Sequence, residues 1–166
     1  MRDQDNPAPV LVFTWGNPSR GDDAIGPQIY DLLINEALED VDVLTDFQLQ
    51  IEHVVDLEKR ERVIFVDASV SGKAAFEFHQ IQADKDDSYT THAMSPQSLL
   101  AVYEQVNKQA APTSFMLSVR GYEFGLGLAM SDEAIDNLNE AVAFIKQRLS
   151  DRNSKDREEQ KKTEII

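Results

Sequence analysis

The sequence predicts an α/β fold, a three-layer α/β/α sandwich around a mainly parallel sheet of about five strands. Three observations predict it. Short apolar runs at 10–14, 62–67 and 115–119 are rich in Val, Ile, Leu and Phe, as expected of strands covered on both faces. Segments with helical apolar spacing alternate with those runs, and Gly, Pro and Asp clusters punctuate the joins.

Taken in order, Val10-Leu11-Val12-Phe13-Thr14 is bounded by Pro9 and Gly16 and reads as a first, central strand. Ile25, Ile29, Leu32 and Leu33 then share one helical face. Proline is accommodated only in the first turn of a helix, so Pro27 places Asp22 and Asp23 in the preceding loop or at the cap. Val41 to Thr45 alternates as a second strand, Phe47 to Gln50 is a loop, and Ile51 to Leu57 forms a short helix. Arg62-Val63-Ile64-Phe65-Val66-Asp67 is a third strand ending on an acid. Phe76 to Ile81 alternates strictly, the mark of an edge strand with one wet face, antiparallel to the rest.

Ser95-Pro96 starts the next helix, cap followed by first position, with Leu99, Val102, Tyr103 and Val106 as its buried stripe. Phe115 to Val119 is the last strand and opens into the loop Arg120-Gly121-Tyr122-Glu123-Phe124-Gly125-Leu126-Gly127. Ser131 caps a final helix with Asp132 and Glu133 in its first turn, and Ile135, Leu138, Val142, Ile145 and Leu149 on one face. The expected organisation is a flexible N-terminus over 1–9, one α/β domain over 10–149, and a charged tail over 150–166, either a solvated helix or disordered.

A chain of 166 residues can bury a core of this size without staples. It contains no cysteine, which excludes thiol nucleophiles, thiolate metal sites and disulfides, and agrees with a cytoplasmic location. The N-terminal nine residues lack the apolar stretch of a secretory signal, and no run is long enough to span a membrane. The formal charge of −14 argues against nucleic acid as a partner. Because the tail from Asp151 onward carries five acids and five bases, that negative charge belongs to the body, which suits a basic partner surface.

The segment Gly16-Asn17-Pro18-Ser19-Arg20-Gly21-Asp22-Asp23-Ala24-Ile25-Gly26-Pro27 carries the most chemistry. It joins the first strand to the first helix, and that turn opens into the crevice where open α/β sheets bind ligands. Two carboxylates at a helix entrance repel phosphate, so the turn suits a cation or a proton. The fold brings Asp23, Asp67 and His92 toward one edge of the sheet. Each taken singly has a plainer role, as a helix cap, a turn cap or an ordinary loop histidine. Together, two carboxylates and an imidazole make a borderline-hard divalent metal site with open positions. No Gly-x-Ser-x-Gly elbow supports a serine nucleophile. Trp15 is either a wall of the crevice or a packing residue, and His53 and His79 read as ordinary.

Five segments in order resemble the maturation endopeptidases of nickel-iron hydrogenases. They are Gly16 to Gly26, Gln48-Leu49, Val63-Ile64-Phe65-Val66-Asp67-Ala68, His92-Ala93-Met94-Ser95-Pro96, and Arg120-Gly121-Tyr122-Glu123-Phe124. The first and fourth most resemble the branch serving soluble bidirectional hydrogenases. The resemblance implies an aspartyl-type endopeptidase that removes the C-terminal extension of the hydrogenase large-subunit precursor once nickel is inserted. It implies that nickel carried by that precursor is the recognition element and that Asp23, Asp67 and His92 are the metal-binding residues. Asp23 and Asp67 are the candidate catalytic residues by one of two routes: the three side chains hold the nickel, which polarises the scissile carbonyl or activates water, or the site only reads nickel and Asp23 or Asp67 acts as general base. Two features depart from some relatives: an Asp rather than Glu at position 23, and Gln97 where a histidine can follow the Ser-Pro pair.

Two other readings use the same residues. A nickel- or precursor-binding chaperone would occupy the crevice without cutting. Peptidyl-tRNA hydrolases share Gly-Asn-Pro after a first strand, but the −14 charge and the acids at 22 and 23 oppose a polyanionic substrate.

Overall fold

The structure is a computed structural model that describes residues 6–85 and 94–164, with side chains through Asp151. The strands are β1 (Val10–Trp15), β2 (Val41–Asp46), β3 (Arg62–Ser69), β4 (Phe76–Ile81) and β5 (Thr113–Arg120). The α-helices are α1 (Ile25–Ile34), α2 (Pro96–Asn107) and α3 (Asp132–Glu164), with 3₁₀ turns at Gly21–Ala24 and Ile51–Leu57. The strands form one sheet in the order β2-β1-β3-β5-β4. All pairs are parallel except β4 with β5, so the strictly alternating segment is the antiparallel edge. The central position belongs to β3 rather than β1, although β1 is interior and its first five residues are buried.

Alternation along each strand divides the core into two layers. Val10, Val12, Ile64, Val66, Leu117 and Val119 face α1 and α3. Leu11, Phe13, Val63 and Phe65 pack with Leu57 of the second 3₁₀ turn and Leu99, Leu100 and Tyr103 of α2. That makes three layers, and most of the stability lies in these two apolar interfaces.

The helical stripes differ in detail from the spacing argument. In α1 the buried residues are Ile25, Gly26, Ile29 and Leu33, and Leu32 is exposed. In α2 Leu100 is buried and Val106 is exposed, while in α3 Ala134 takes the inward place expected of Ile135. In α1 and α3 one residue of each adjacent apolar pair lies just past the face that meets the sheet. The folded body also begins before Val10. Ala8 is buried, its N–H donates to Asp42 Oδ2 (2.9 Å), and its carbonyl accepts from Arg60 (2.8 Å), which fixes the segment leading into β1.

Ser95 accepts a hydrogen bond from the Ser98 N–H (3.1 Å), and Ser131 accepts from the Ala134 N–H (3.3 Å), so both act as the N-caps the sequence predicts. No helix of the described residues is long and apolar enough to cross a membrane.

Candidate functional site

Parallel pairing of β1, β3 and β5 sends their following loops to one edge, the carboxyl edge of the sheet. β1 ends at Trp15, and the chain turns through Gly16-Asn17-Pro18 into the 3₁₀ turn Gly21–Ala24. Gly16 has φ +153, and a Cβ there would lie 2.1 Å from the Asp23 carbonyl oxygen. Only glycine lets the strand end and the turn pack this closely. The close fold places the Asn17 N–H 2.7 Å from Asp23 Oδ2, leaving Oδ1 without a hydrogen-bond partner among the described residues.

Asp67 does not end its strand, because β3 continues to Ser69. Thr14 of β1 is level with Val66 of β3, so Trp15 and Asp67 are neighbours, on the face shared by Phe13 and Phe65. The Trp15 ring meets the Phe65 ring edge-on at 6.2 Å. Burial raises the Asp67 carboxyl to about 7 and the negative charge of Asp23 adds to that rise, while the Ala68 N–H (2.8 Å) and the Trp15 side chain oppose it by hydrogen bonding. The two carboxyls that the sequence pairs therefore feel each other's charge. Trp15 packs on Phe65 and reaches Asp67.

His92 lies outside the described residues. Met94, two positions later, donates its N–H to the Leu49 carbonyl (3.4 Å) and so lies beside the loop that follows β2. Among the described residues no group of three or more His, Cys, Asp or Glu is arranged to hold a metal ion. The described part of the site is thus the pair Asp23 and Asp67, an oxygen-donor set suited to a cationic centre or to proton transfer.

Asp22 has the opposite environment from its neighbour. It is fully buried, and its carboxylate accepts from the N–H groups of Tyr122 (2.7 Å), Glu123 (2.8 Å) and Ser131 (2.7 Å) and from the Ser131 hydroxyl (2.8 Å). Burial acts to raise its pKa, but the backbone donors of Glu123, Tyr122 and Ser131, with the Ser131 hydroxyl, hold it below the ordinary carboxylate value. No local sequence pattern announces this role, because every donor lies about a hundred positions away.

His53 serves the local fold. Its Nδ1 accepts from the Gln50 N–H (2.8 Å), so in the neutral ring Nε2 carries the proton and donates to Asp46 Oδ2 (3.0 Å). A cavity of about 310 Å³ lies at the opposite, amino edge of the sheet, lined by Val10, Arg62 and Ile64 with Phe144 and Arg148 of α3. It is remote from both carboxyls.

No protein-family model and no curated protein sequence matches the chain. Solved structures do. The NiFe hydrogenase maturation protease HycI from Thermococcus kodakarensis KOD1 is similar with a TM-score of 0.69 and 19% identity, covering 89% of this chain and 97% of its own. The hydrogenase maturating endopeptidase HybD from E. coli is similar with a TM-score of 0.67 and 19% identity, covering 86% and 93%. The hydrogenase 2 maturation peptidase from a Thaumarchaeota archaeon is 25% identical with a TM-score of 0.60, covering 84% and 97%. The TM-scores and the near-complete coverage agree: this chain has the fold of the nickel-iron hydrogenase maturation proteases.

Proposed function

We infer that the chain is an endopeptidase that removes the C-terminal extension of a nickel-iron hydrogenase large-subunit precursor after nickel has been inserted. The observation that carries this reading is the pairing of Asp23 and Asp67 within range of each other's charge, at the carboxyl edge of a sheet whose fold is that of maturation proteases. Two neighbouring carboxyls disfavour full ionisation on their own and favour a cationic partner, which the nickel centre of the precursor supplies as part of the substrate. His92 is the third residue assigned to that centre.

In hydrolysis, water adds to the scissile carbonyl carbon, a carboxylate of the pair takes its proton, and the proton passes to the leaving amine nitrogen as the C–N bond breaks. Asp67 suits the proton-carrying role, because burial, with the neighbouring Asp23 adding to it, raises its carboxyl to about 7. The cysteine-free composition suits a cytoplasmic setting for this step.

The test is incubation with a nickel-loaded large-subunit precursor, followed by intact-mass measurement. Loss of the C-terminal extension supports the reading. Binding of the precursor with no loss of mass would show a chaperone instead.

A further inference from the structure

We propose that Asp22 is a positioning residue, which fixes the loop 121–131 as a wall of the crevice against which the precursor's apolar residues beside the cut are held. The proposal rests on the endopeptidase reading for the identity of the partner. Its structural part stands on the hydrogen bonds alone.

The turn bearing both acids and the loop after β5 are joined backbone to backbone. Gly21 N–H donates to the Leu128 carbonyl (3.1 Å), Asp22 N–H to the Glu123 carbonyl (2.7 Å), and Gly127 N–H to the Ser19 carbonyl (2.7 Å). The Asp22 carboxylate completes the joint with its four accepted bonds to Tyr122, Glu123 and Ser131. Every one of those partners is a donor, so an acceptor-only group is required. Asparagine would turn an NH₂ toward an N–H or leave an N–H bare. A buried charge is retained here because its whole coordination is satisfied.

The loop so fixed carries large apolar side chains in solvent: Tyr122 is 44% exposed, Leu126 70% and Leu128 50%. Its base is anchored as well, since Asn137 of α3 donates to the Arg120 carbonyl (3.0 Å) and the Tyr122 hydroxyl (3.1 Å), and the Arg120 guanidinium lies over the Tyr122 ring at 4.7 Å. Apolar groups held on a pre-ordered backbone bind without a further ordering cost. Their continuity with the turn that carries Asp23 places them along a peptide whose cut bond lies at the two carboxyls. The adjacent acids thus divide the work, Asp23 toward the reacting bond and Asp22 toward the wall.

The experiment compares wild type, Asp22→Asn, Ser131→Ala and Leu126→Asp in hydrogen exchange and in cleavage of the nickel-loaded precursor. In Asp22→Asn the exchange of the Tyr122, Glu123 and Ser131 amides is expected to quicken at least about tenfold more than that of the β3 amides, and KM is expected to rise about tenfold, well beyond any fall in kcat. Leu126→Asp is expected to raise KM with exchange unaltered, a result no purely structural role produces. Ser131→Ala, which removes the hydroxyl's bond to Asp22 and the cap bond from the Ala134 N–H, is expected to show the Asp22→Asn pattern in weaker form and decides the matter if Asp22→Asn does not fold. Protected amides in Asp22→Asn, or exposed amides with an unchanged KM, overturn the proposal. Failure of the endopeptidase reading is separate: wild type then leaves the precursor uncut, and the dissociation constant of the intact precursor takes the place of KM in the same comparison.

Discussion

Asp22 Oδ2 and the Ser131 hydroxyl are 109 positions apart in the chain and 2.8 Å apart in space, and that contact joins the first turn to the cap of the last helix. The Asp22 carboxyl lies below the ordinary value in the folded chain, so folding favours the ionised form. The stability this contributes is present above about pH 3.8, the unfolded value, and is lost as pH falls through the lower folded value. Asp22→Asn is expected to lower stability at pH 7 by about 1–3 kcal/mol and to flatten the acid limb of the unfolding curve. Urea titrations at a series of pH values check this, and an unchanged acid limb would contradict it.

Asp67 gives the reverse sign. Its folded carboxyl is raised to about 7 from 3.8, so the folded state binds the extra proton between those values. Stability therefore falls as pH rises from about 3.8 to about 7 and stays reduced above that. Asp67→Asn is expected to raise the Tm at pH 8 by roughly 2–6 °C, on the order of 1–2 kcal/mol, and to leave it unchanged near pH 3.5. A variant that melts lower at pH 8 would show that the carboxylate stabilises the fold instead.

The cleavage reading makes a matching demand on the pair. Asp23→Asn keeps the size and removes the charge, while the Asn17 N–H still finds an oxygen acceptor. Asp23→Asn and Asp67→Asn should each reduce the turnover of nickel-loaded precursor by about 10²-fold or more with folding intact. Undiminished cleavage by either variant removes that residue from the chemistry. If Asp67→Asn is also the more stable protein at pH 8, the site holds an unfavourable charge for the sake of function.

Sequence patterning discloses the fold more fully than the site, for a physical reason. Apolar period and capping chemistry are local, so β3, the edge strand β4, the Ser95-Pro96 start and the Ser131 cap are all visible in stretches of a few residues. Which residue of an adjacent apolar pair turns inward depends on the partner surface, which is why Leu32 and Ile135 are exposed. In the site, Asp23 and Asp67 are legible because strand-to-helix turns of parallel sheets converge. The contact of Trp15 with Asp67 follows from alternation once β1 and β3 are set side by side. The burial of Asp22 does not, since its partners come from the far end of the chain and leave no mark near the Asp-Asp pair.

Gly16 tests how tightly the turn controls Asp23. With φ +153 and only 2.1 Å between the place a Cβ would take and the Asp23 carbonyl oxygen, an alanine there must push the 3₁₀ turn away from the end of β1. The hydrogen bond from the Asn17 N–H to Asp23 Oδ2 spans that same gap and would lengthen with it. Gly16→Ala is expected to cost about 1–3 kcal/mol in backbone strain and, at a pH and temperature where the variant stays folded, to reduce precursor turnover. Gly72→Ala provides the contrast, because a Cβ there meets only the Glu77 side chain, at an ordinary contact distance of 3.6 Å, although φ is also positive. It should show a strain cost of similar size with turnover retained. Equal losses of turnover in the two variants would mean that strain alone, and not displacement of Asp23, governs the activity.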